Sequence, residues 1–356
     1  MLMIRLFLVV PLVAMFAFVA TTEERAEAAW NCSGTNITRI SGGDIDAIIN
    51  NDKADRATTF CVDAGTYKVS EPAILKTGDK LVGEPGSQTL IDTTTIGEGI
   101  RKPTPVVKLE GSGTANLLRA RGTDISITWV DLSGASGTGT GSGAITAGSA
   151  SSNFLVQYSR IHDNASLGIS NMKGSVLHSE FFKNSYATSS LGFNASAVKG
   201  ITEFQAGWLY VHDEQGNGLW CDVGCNPDSG GNTGFWVHDS VVVRSGRAGI
   251  RFENSPNEAL IENNEIHENG LKERRGGVDI RDSQDARVEN NNFGGPVTIA
   301  GIAGNPYKVN GDNIGVRATD SGRSDRVNLS NIDVVGNKMN GDRIVSCGGQ
   351  VFCSNN

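Results

Sequence analysis

The feature that most constrains this chain is a repeat of uneven length. Take Ile161, Phe181, Val211, Val242, Ile266 and Phe293 as one reference position; the intervals are 20, 30, 31, 24 and 27 residues. Five residues earlier stand Val156, Val176, Ala206, Val237, Ile261 and Val288, all apolar. Two residues earlier stand Ser159, Ser179, Leu209, Ser240, Asn264 and Asn291, and three later stand Asn164, Asn184, Glu214, Ser245 and Asn269. A fixed apolar pair between polar corners is the signature of a solenoid, whose units bury their apolar side only by stacking. The corners then form ladders, each side chain bonding its copy one coil along. Strands of about 3–5 residues alternate within each unit, and no leucine-rich consensus is present. The expected fold is therefore all-β, a single-stranded right-handed parallel β-helix. The alternative is a β-sandwich with accidental periodicity.

The repeat is sharpest between Gly216 and Ser255. Gly218 to Asp222 (GLWCD) aligns with Gly249 to Glu253 (GIRFE) at an offset of 31, and Gly277 to Arg281 (GVDIR) follows 28 further on. Side chains alternate across a strand. One face thus stacks Leu219, Ile250 and Val278, then Cys221, Phe252 and Ile280. The other stacks Trp220, Arg251 and Asp279, then Asp222, Glu253 and Arg281.

Glycine is abundant (45) and proline scarce (9), which suits many short strands joined by tight turns. The net charge of −8 argues against a nucleic-acid partner, which needs basic patches. It leaves room for an acidic polysaccharide, because cations can gather in one groove. Residues 1–28 read as a signal peptide: Arg5, an apolar run from Leu6 to Ala20, and Ala26-Glu27-Ala28 as the cleavage site. An uncleaved anchor is the alternative, but the run is shorter than the roughly 20 residues of a span. The mature chain is expected outside the cell or at its surface, as a monomer without stable membrane insertion. Six cysteines fall in three local groups, expected to pair as Cys32–Cys61, Cys221–Cys225 and Cys347–Cys353. Zinc is the rival reading, but no group has CxxC spacing or a nearby His pair.

Residues 29–67 read as an N-terminal cap and first coil, with a helix-like Ile45, Ile48 and Ile49 stripe over Ser41 to Asn51. The solenoid is expected over 68–340 and a disulfide-closed C-terminal cap over 341–356, since an open end exposes unpaired strand edges. Insertions at 134–143, 186–194, 226–232, 272–275 and 305–326 would leave at the turns and wall a groove.

These residues resemble a family. Thr58 to Asp92 is similar to the opening coils of secreted bacterial right-handed parallel β-helix repeat proteins of the pectin-lyase-like superfamily. SAVKG (Ser196 to Gly200), VHDEQGNGLWCDVGC (Val211 to Cys225), GIRFENS (Gly249 to Ser255) and ALIENNEIHENG (Ala259 to Gly270) resemble their middle coils. The resemblance covers Thr58 to Asn340 and implies the fold. It assigns no reaction, because the superfamily holds lyases, hydrolases, epimerases and non-enzymatic surface proteins.

The candidate chemistry lies in the Asp222, Glu253 and Arg281 column. Coils about 4.8 Å apart set the two carboxylates side by side, so a proton or a cation must lie between them. Arg251, Arg281 and Lys199 are candidates for that charge; placing Val198 at the Phe252 position puts Lys199 in the same column. Trp220 offers a flat surface for a sugar ring, and Asp279 shares its face. Three mechanisms fit. A lyase would neutralise a uronate, with Ca2+ as the candidate ion, and take the C5 proton with Lys or Arg. A glycosidase would use Asp222 and Glu253 as a pair at the roughly 5 Å spacing of retaining enzymes. An epimerase would return the proton from the other side. The alternative is a cross-strand salt-bridge ladder. His162, His212 and His267 share one column, interrupted by Phe182 and Val243, and read as corner packing; the His212-Asp213 pair is the best of them as a substrate contact. The expected function is lyase-like or glycosidase-like cleavage of an acidic polysaccharide in an exterior groove, or else non-catalytic glycan binding. An enzyme needs the column in an open groove. A binding protein would show a row of aromatics along several coils, for which the sequence offers Trp208, Trp220 and Trp236.

Overall fold

The apolar positions of the repeat fold inward, and they do so on three faces. The computed structural model describes residues 32, 36–53, 56–93, 95–148, 151–187, 195–225, 234–273, 275–293, 315–324, 326, 328–339 and 346–347. Residues 1–28, read as a signal peptide, and Cys353, with it the expected Cys347–Cys353 bridge, lie outside these residues, as does nearly all of 341–356. One coil shows the path. Phe235–His238 lies on the first face, Val241–Val243 on the second and Ile250–Glu253 on the third; Ala259–Glu262 then returns to the first. Each strand pairs in parallel with its copy one coil away. Among the described residues the second face is a sheet of 10 strands, and the first and third form one sheet of 19, because the strands Leu167–Leu177 and Ser196–Gly207 run across the corner between them.

Alternation holds as the sequence predicts. Leu219, Ile250, Val278, Cys221, Phe252 and Ile280 are all fully buried. Inside, Phe204, Phe235 and Phe252 stack at centroid distances of 5.6 and 5.8 Å. Glycine is required where coils touch: a Cβ at Gly218 would stand 2.4 Å from the Gly249 carbonyl oxygen, and one at Gly249 would stand 2.8 Å from that of Gly277. That contact explains why the aligned repeats each begin with glycine.

The polar corners form the expected ladders. Asn264 Nδ2 donates to Asn291 Oδ1 at 2.9 Å, and Asn291 Nδ2 donates to Asn337 Oδ1 at 3.0 Å. At the other corner Asn164 Nδ2 donates to Asn184 Oδ1 at 2.9 Å, and Asn184 Nδ2 to Glu214 Oε1 at 2.7 Å. Burial pushes the Glu214 carboxyl up to about 8, against the pull of both Asn184 hydrogen bonds. The folded state therefore keeps a proton that the unfolded chain releases. Its stabilising contribution is complete below the ordinary carboxylate value of 4.5 and is lost as pH rises to about 8, by at most roughly 1.4 kcal/mol per pH unit. Glu214→Gln cannot titrate. Its melting temperature is expected to fall less than the wild type's across that window, and parallel curves would refute a buried, proton-holding Glu214.

At the N-terminal end the helix Ile45–Asn50 drops Ile45 and Ile49 into the core. Buried Asp46 ties it to the first coil by accepting the Ser70 and Glu71 backbone N–H groups at 3.0 and 2.7 Å. The Cys32–Cys61 and Cys221–Cys225 disulfides are both formed. The second lies wholly inside, so the inward aim of Cys221 is compatible with its bridge. An antiparallel hairpin of Ser87–Ile91 and Ile100–Thr104 leaves the solenoid and covers the second face, where Ile91, Ile96 and Ile100 meet Tyr210, Val241 and Val243. The uninterrupted solenoid expected from residue 68 onward is broken here.

Candidate functional site

The third face carries the site. Trp220 pairs with Arg251 and Arg251 with Asp279, while Asp222 pairs with Glu253 and Glu253 with Arg281. Both outward columns therefore stand as the repeat alignment places them. Lys199 requires a correction. It pairs with Trp220, not with Asp222, because Val198 takes the Leu219 position. The long side chain nevertheless crosses to the neighbouring column: Lys199 Nζ lies 2.8 Å from Asp222 Oδ2 and 4.1 Å from the Trp220 ring centre.

The columns are less open than an exterior strand face suggests. Trp220 is 1% exposed, Arg251 3% and Asp279 1%. Trp220 lies against the Lys199 and Arg251 cations, the latter 5.3 Å from the ring centre, so its face supports charges rather than standing free for a sugar. Arg251 reaches Glu253 at 2.6 Å and Asp279 at 3.8 Å. Arg275 holds Asp279 at 3.3 Å and Glu273 at 2.7 Å, and Arg247 holds the same Glu273 at 3.1 Å. Arg281, the most open of these cations, meets Asp282 at 3.5 Å. Burial, and then the nearby Arg275 guanidinium, push Arg247 below the usual arginine range. Burial also pulls on Arg275, but its bond to Glu273 prevails and holds it above that range.

Above Trp220 and Arg251 opens a cleft of about 210 Å³, lined also by Arg247, Glu253, Arg275, Arg281, Asp282, Arg323 and Arg326. Six guanidinium groups thus face two carboxylates. Trp220 Nε1 and Arg251 Nη1 are buried there without a hydrogen-bond partner among the described residues. A buried donor left without an acceptor costs about 1–3 kcal/mol, and more when charged. Both atoms are therefore open to an acceptor beyond the described residues, and an anion suits the guanidinium best.

Three of the lining residues, Arg275, Arg323 and Arg326, come from the insertions, as expected of turns in a solenoid. Arg247 and Arg275 were missed by the sequence reading, although they obey the same offset of 28, two residues before Gly249 and Gly277. They stand just outside the aligned segments, which begin at the glycine. Arg323 and Arg326 lie in an insertion and have no repeat signal.

His212 and Asp213 belong to the second face, not to this cleft. His212 Nε2 is 3.1 Å from Glu180 Oε1 and its Nδ1 is 2.7 Å from Asp213 Oδ2, while Arg244 Nε donates to Asp213 at 2.6 Å. Arg160 and Lys102 also hold Glu180. His162, Phe182 and His212 stack at 4.4 and 5.0 Å, which is the packing role the interrupted histidine column suggests.

A row of aromatics does run along the solenoid, in a column that the sequence reading passed over. Trp129, Tyr158, His178 and Trp208 stack at 5.1, 5.1 and 4.8 Å. Their ring faces are turned on one another and so are not offered to a sugar. Trp236 is engaged elsewhere, its Nε1 donating to Glu262 at 2.9 Å.

No protein-family model and no curated protein sequence matches the chain. Among solved structures it is similar to an alginate lyase from Paenibacillus sp. str. FPU-7, at 14% identity and a TM-score of 0.54 over 87% of this chain and 98% of that one. It is also similar to pectate lyase Pel9A, at 11% identity and a TM-score of 0.48 over 89% and 80%. The A-module of the Azotobacter vinelandii mannuronan C-5 epimerase AlgE4 matches at 15% identity and a TM-score of 0.41 over 92% and 98%. The chain has a right-handed parallel β-helix fold, shared with the Paenibacillus structure. At such identities the likeness is one of fold and carries over no residue.

Proposed function

We propose that this is an exported, carbohydrate-active protein that binds an acidic polysaccharide in the arginine-lined cleft of the third face and cleaves it by β-elimination. The observation that carries the reading is Arg251, a guanidinium almost wholly buried at the cleft floor with an N–H unmet by the described residues. The disulfides suit an oxidising compartment. Among the described residues no helix is long and apolar enough to cross a membrane. The Paenibacillus protein of like fold is an alginate lyase.

Elimination needs a neutralised carboxylate, because that lowers the cost of the carbanion formed when the C5 proton leaves. Arg251, with Arg275 and Arg247 behind it, would bind the uronate carboxylate. Lys199, whose Nζ lies 2.8 Å from Asp222 Oδ2, is the general base of this reading, its amine taking the proton from C5. The C4–O bond then breaks, the departing oxygen takes a proton from water, and a C4–C5 double bond remains. Hydrolysis is less well supported, since Asp222 and Glu253 lie on one face and each is paired with its own cation. Those same pairings favour the second reading, a glycan-binding protein without catalysis.

In this reading guanidinium groups, not Ca2+, supply the charge; among the described residues no three His, Cys, Asp or Glu side chains gather to hold a metal. The test is a depolymerisation screen on acidic and neutral glycans, followed by ultraviolet absorbance and reducing ends. Absorbance that survives chelation and disappears in Lys199→Ala is the expected result. Reducing ends without absorbance would overturn elimination, and silence with retained binding would establish the second reading. Activity lost on chelation and restored by Ca2+ would overturn the guanidinium assignment.

A further inference from the structure

A second compartment adjoins the arginine cleft. Its volume is about 350 Å³, and it shares Arg275 and Arg281 with the first. The pairing register sets the two in succession along the solenoid axis: Arg251 pairs with Asp279 and Asp279 with Arg317, while Glu253 pairs with Arg281 and Arg281 with Thr319. A chain lying along the axis would therefore cross both.

Their chemistry differs. In the second compartment Arg275, Arg281 and Arg317 face Glu273, Asp279 and Asp320, three charges against three. Glu273 and Asp279 are held by Arg275, and Asp320 accepts the Gly322 backbone N–H at 2.7 Å. The rest of the lining is Thr319 and Ser321. Ser321 is fixed by its own N–H, which donates to Asp282 at 2.6 Å, yet its Oγ is buried without a hydrogen-bond partner among the described residues. The unmet donors at the first cleft's floor include a cation, Arg251, beside the neutral Trp220 Nε1, whereas the unmet group here is a neutral hydroxyl that both donates and accepts. A second carboxylate would meet no surplus of positive charge in this compartment and would lose its hydration. A sugar hydroxyl matches Ser321 and Thr319.

We infer that the cleft takes an acidic sugar and a neutral one side by side, so that the ligand is a heteropolysaccharide in which a uronate adjoins a neutral hexose, not an unbroken polyuronate. This deepens the acidic-glycan reading and rests on it. The test is titration calorimetry of the full chain with two tetrasaccharides of equal length, one all uronate and one alternating uronate with neutral hexose. The alternating ligand is expected to bind about tenfold more tightly, a difference of about 1.4 kcal/mol. Ser321→Ala should remove most of that preference. Equal or tighter binding of the all-uronate ligand would overturn this inference while leaving the acidic-glycan reading intact. Binding of neither would overturn both, and an unchanged preference in Ser321→Ala would remove Ser321 from the site.

Discussion

Arg251→Ala is expected to lose at least about a hundredfold in affinity for acidic glycans, and in kcat/KM where cleavage is measured. The magnitude follows from what the guanidinium does. A charge-assisted hydrogen bond in a water-poor site contributes about 1.5–3 kcal/mol, and a bidentate carboxylate contact makes two. The loss has a second part, because Glu253, paired with Arg251 at 2.6 Å, is left near the cleft floor without that cation. An unpaired carboxylate would repel an acidic ligand directly. Arg251→Lys separates the two effects: it keeps the charge beside Glu253 but not the planar fork. It should recover part of the affinity, and Glu253→Gln in the Arg251→Ala background should recover another part. Affinity for a neutral oligosaccharide should not change in any of the three. If Arg251→Ala binds acidic glycans as the wild type does, with the fold intact by circular dichroism, the cleft is not where they bind.

Phe252→Ala is expected to destabilise the fold by about 3–5 kcal/mol, the cost of deleting a fully buried aromatic side chain. Phe252 is completely buried and stacks on Phe235. In a solenoid a cavity is felt mainly through the neighbouring coils, since each coil touches only those on either side. The effect should therefore centre on the coils holding Cys221 and Ile280, the paired neighbours of Phe252. Because Arg251 and Glu253 flank Phe252 on the same strand, the site should loosen with the core. The urea midpoint measures the stability, and glycan affinity measured well below that midpoint reads the site. A loss under about 1 kcal/mol, the range of a tolerated core substitution, would mean that the interior repacks freely.

The fold was legible because it rests on periodicity. Alternation assigned Leu219, Ile250 and Val278 to the inside and Trp220, Arg251 and Asp279 to the outside, and the pairing register agrees at every one of these positions. The corner ladders were legible for the same reason: identical small polar residues recur where identical turns recur. The one misplaced register, at Lys199, lies just after the insertion at 186–194, where the count between repeats carries no information.

The site was legible in part. Its floor sits on the repeat and was found there. The aromatic column Trp129, Tyr158, His178 and Trp208 also obeys the repeat, three residues before the apolar reference, but its residues differ enough to escape notice. Arg323 and Arg326 reach the cleft from an insertion whose path no period predicts.

By itself the sequence determined which residues turn inward, which coils are neighbours and which side chains share a column, because a stacked parallel strand converts spacing directly into position. Only the tertiary structure decided what those columns become. Burial of Trp220 and Arg251, the reach of Lys199 across a column, the gathering of six arginines over two carboxylates and the unmet donors at the floor all depend on how turns fold over the third face. Turn paths are set by contacts between residues far apart in the chain, and such contacts leave no period to read.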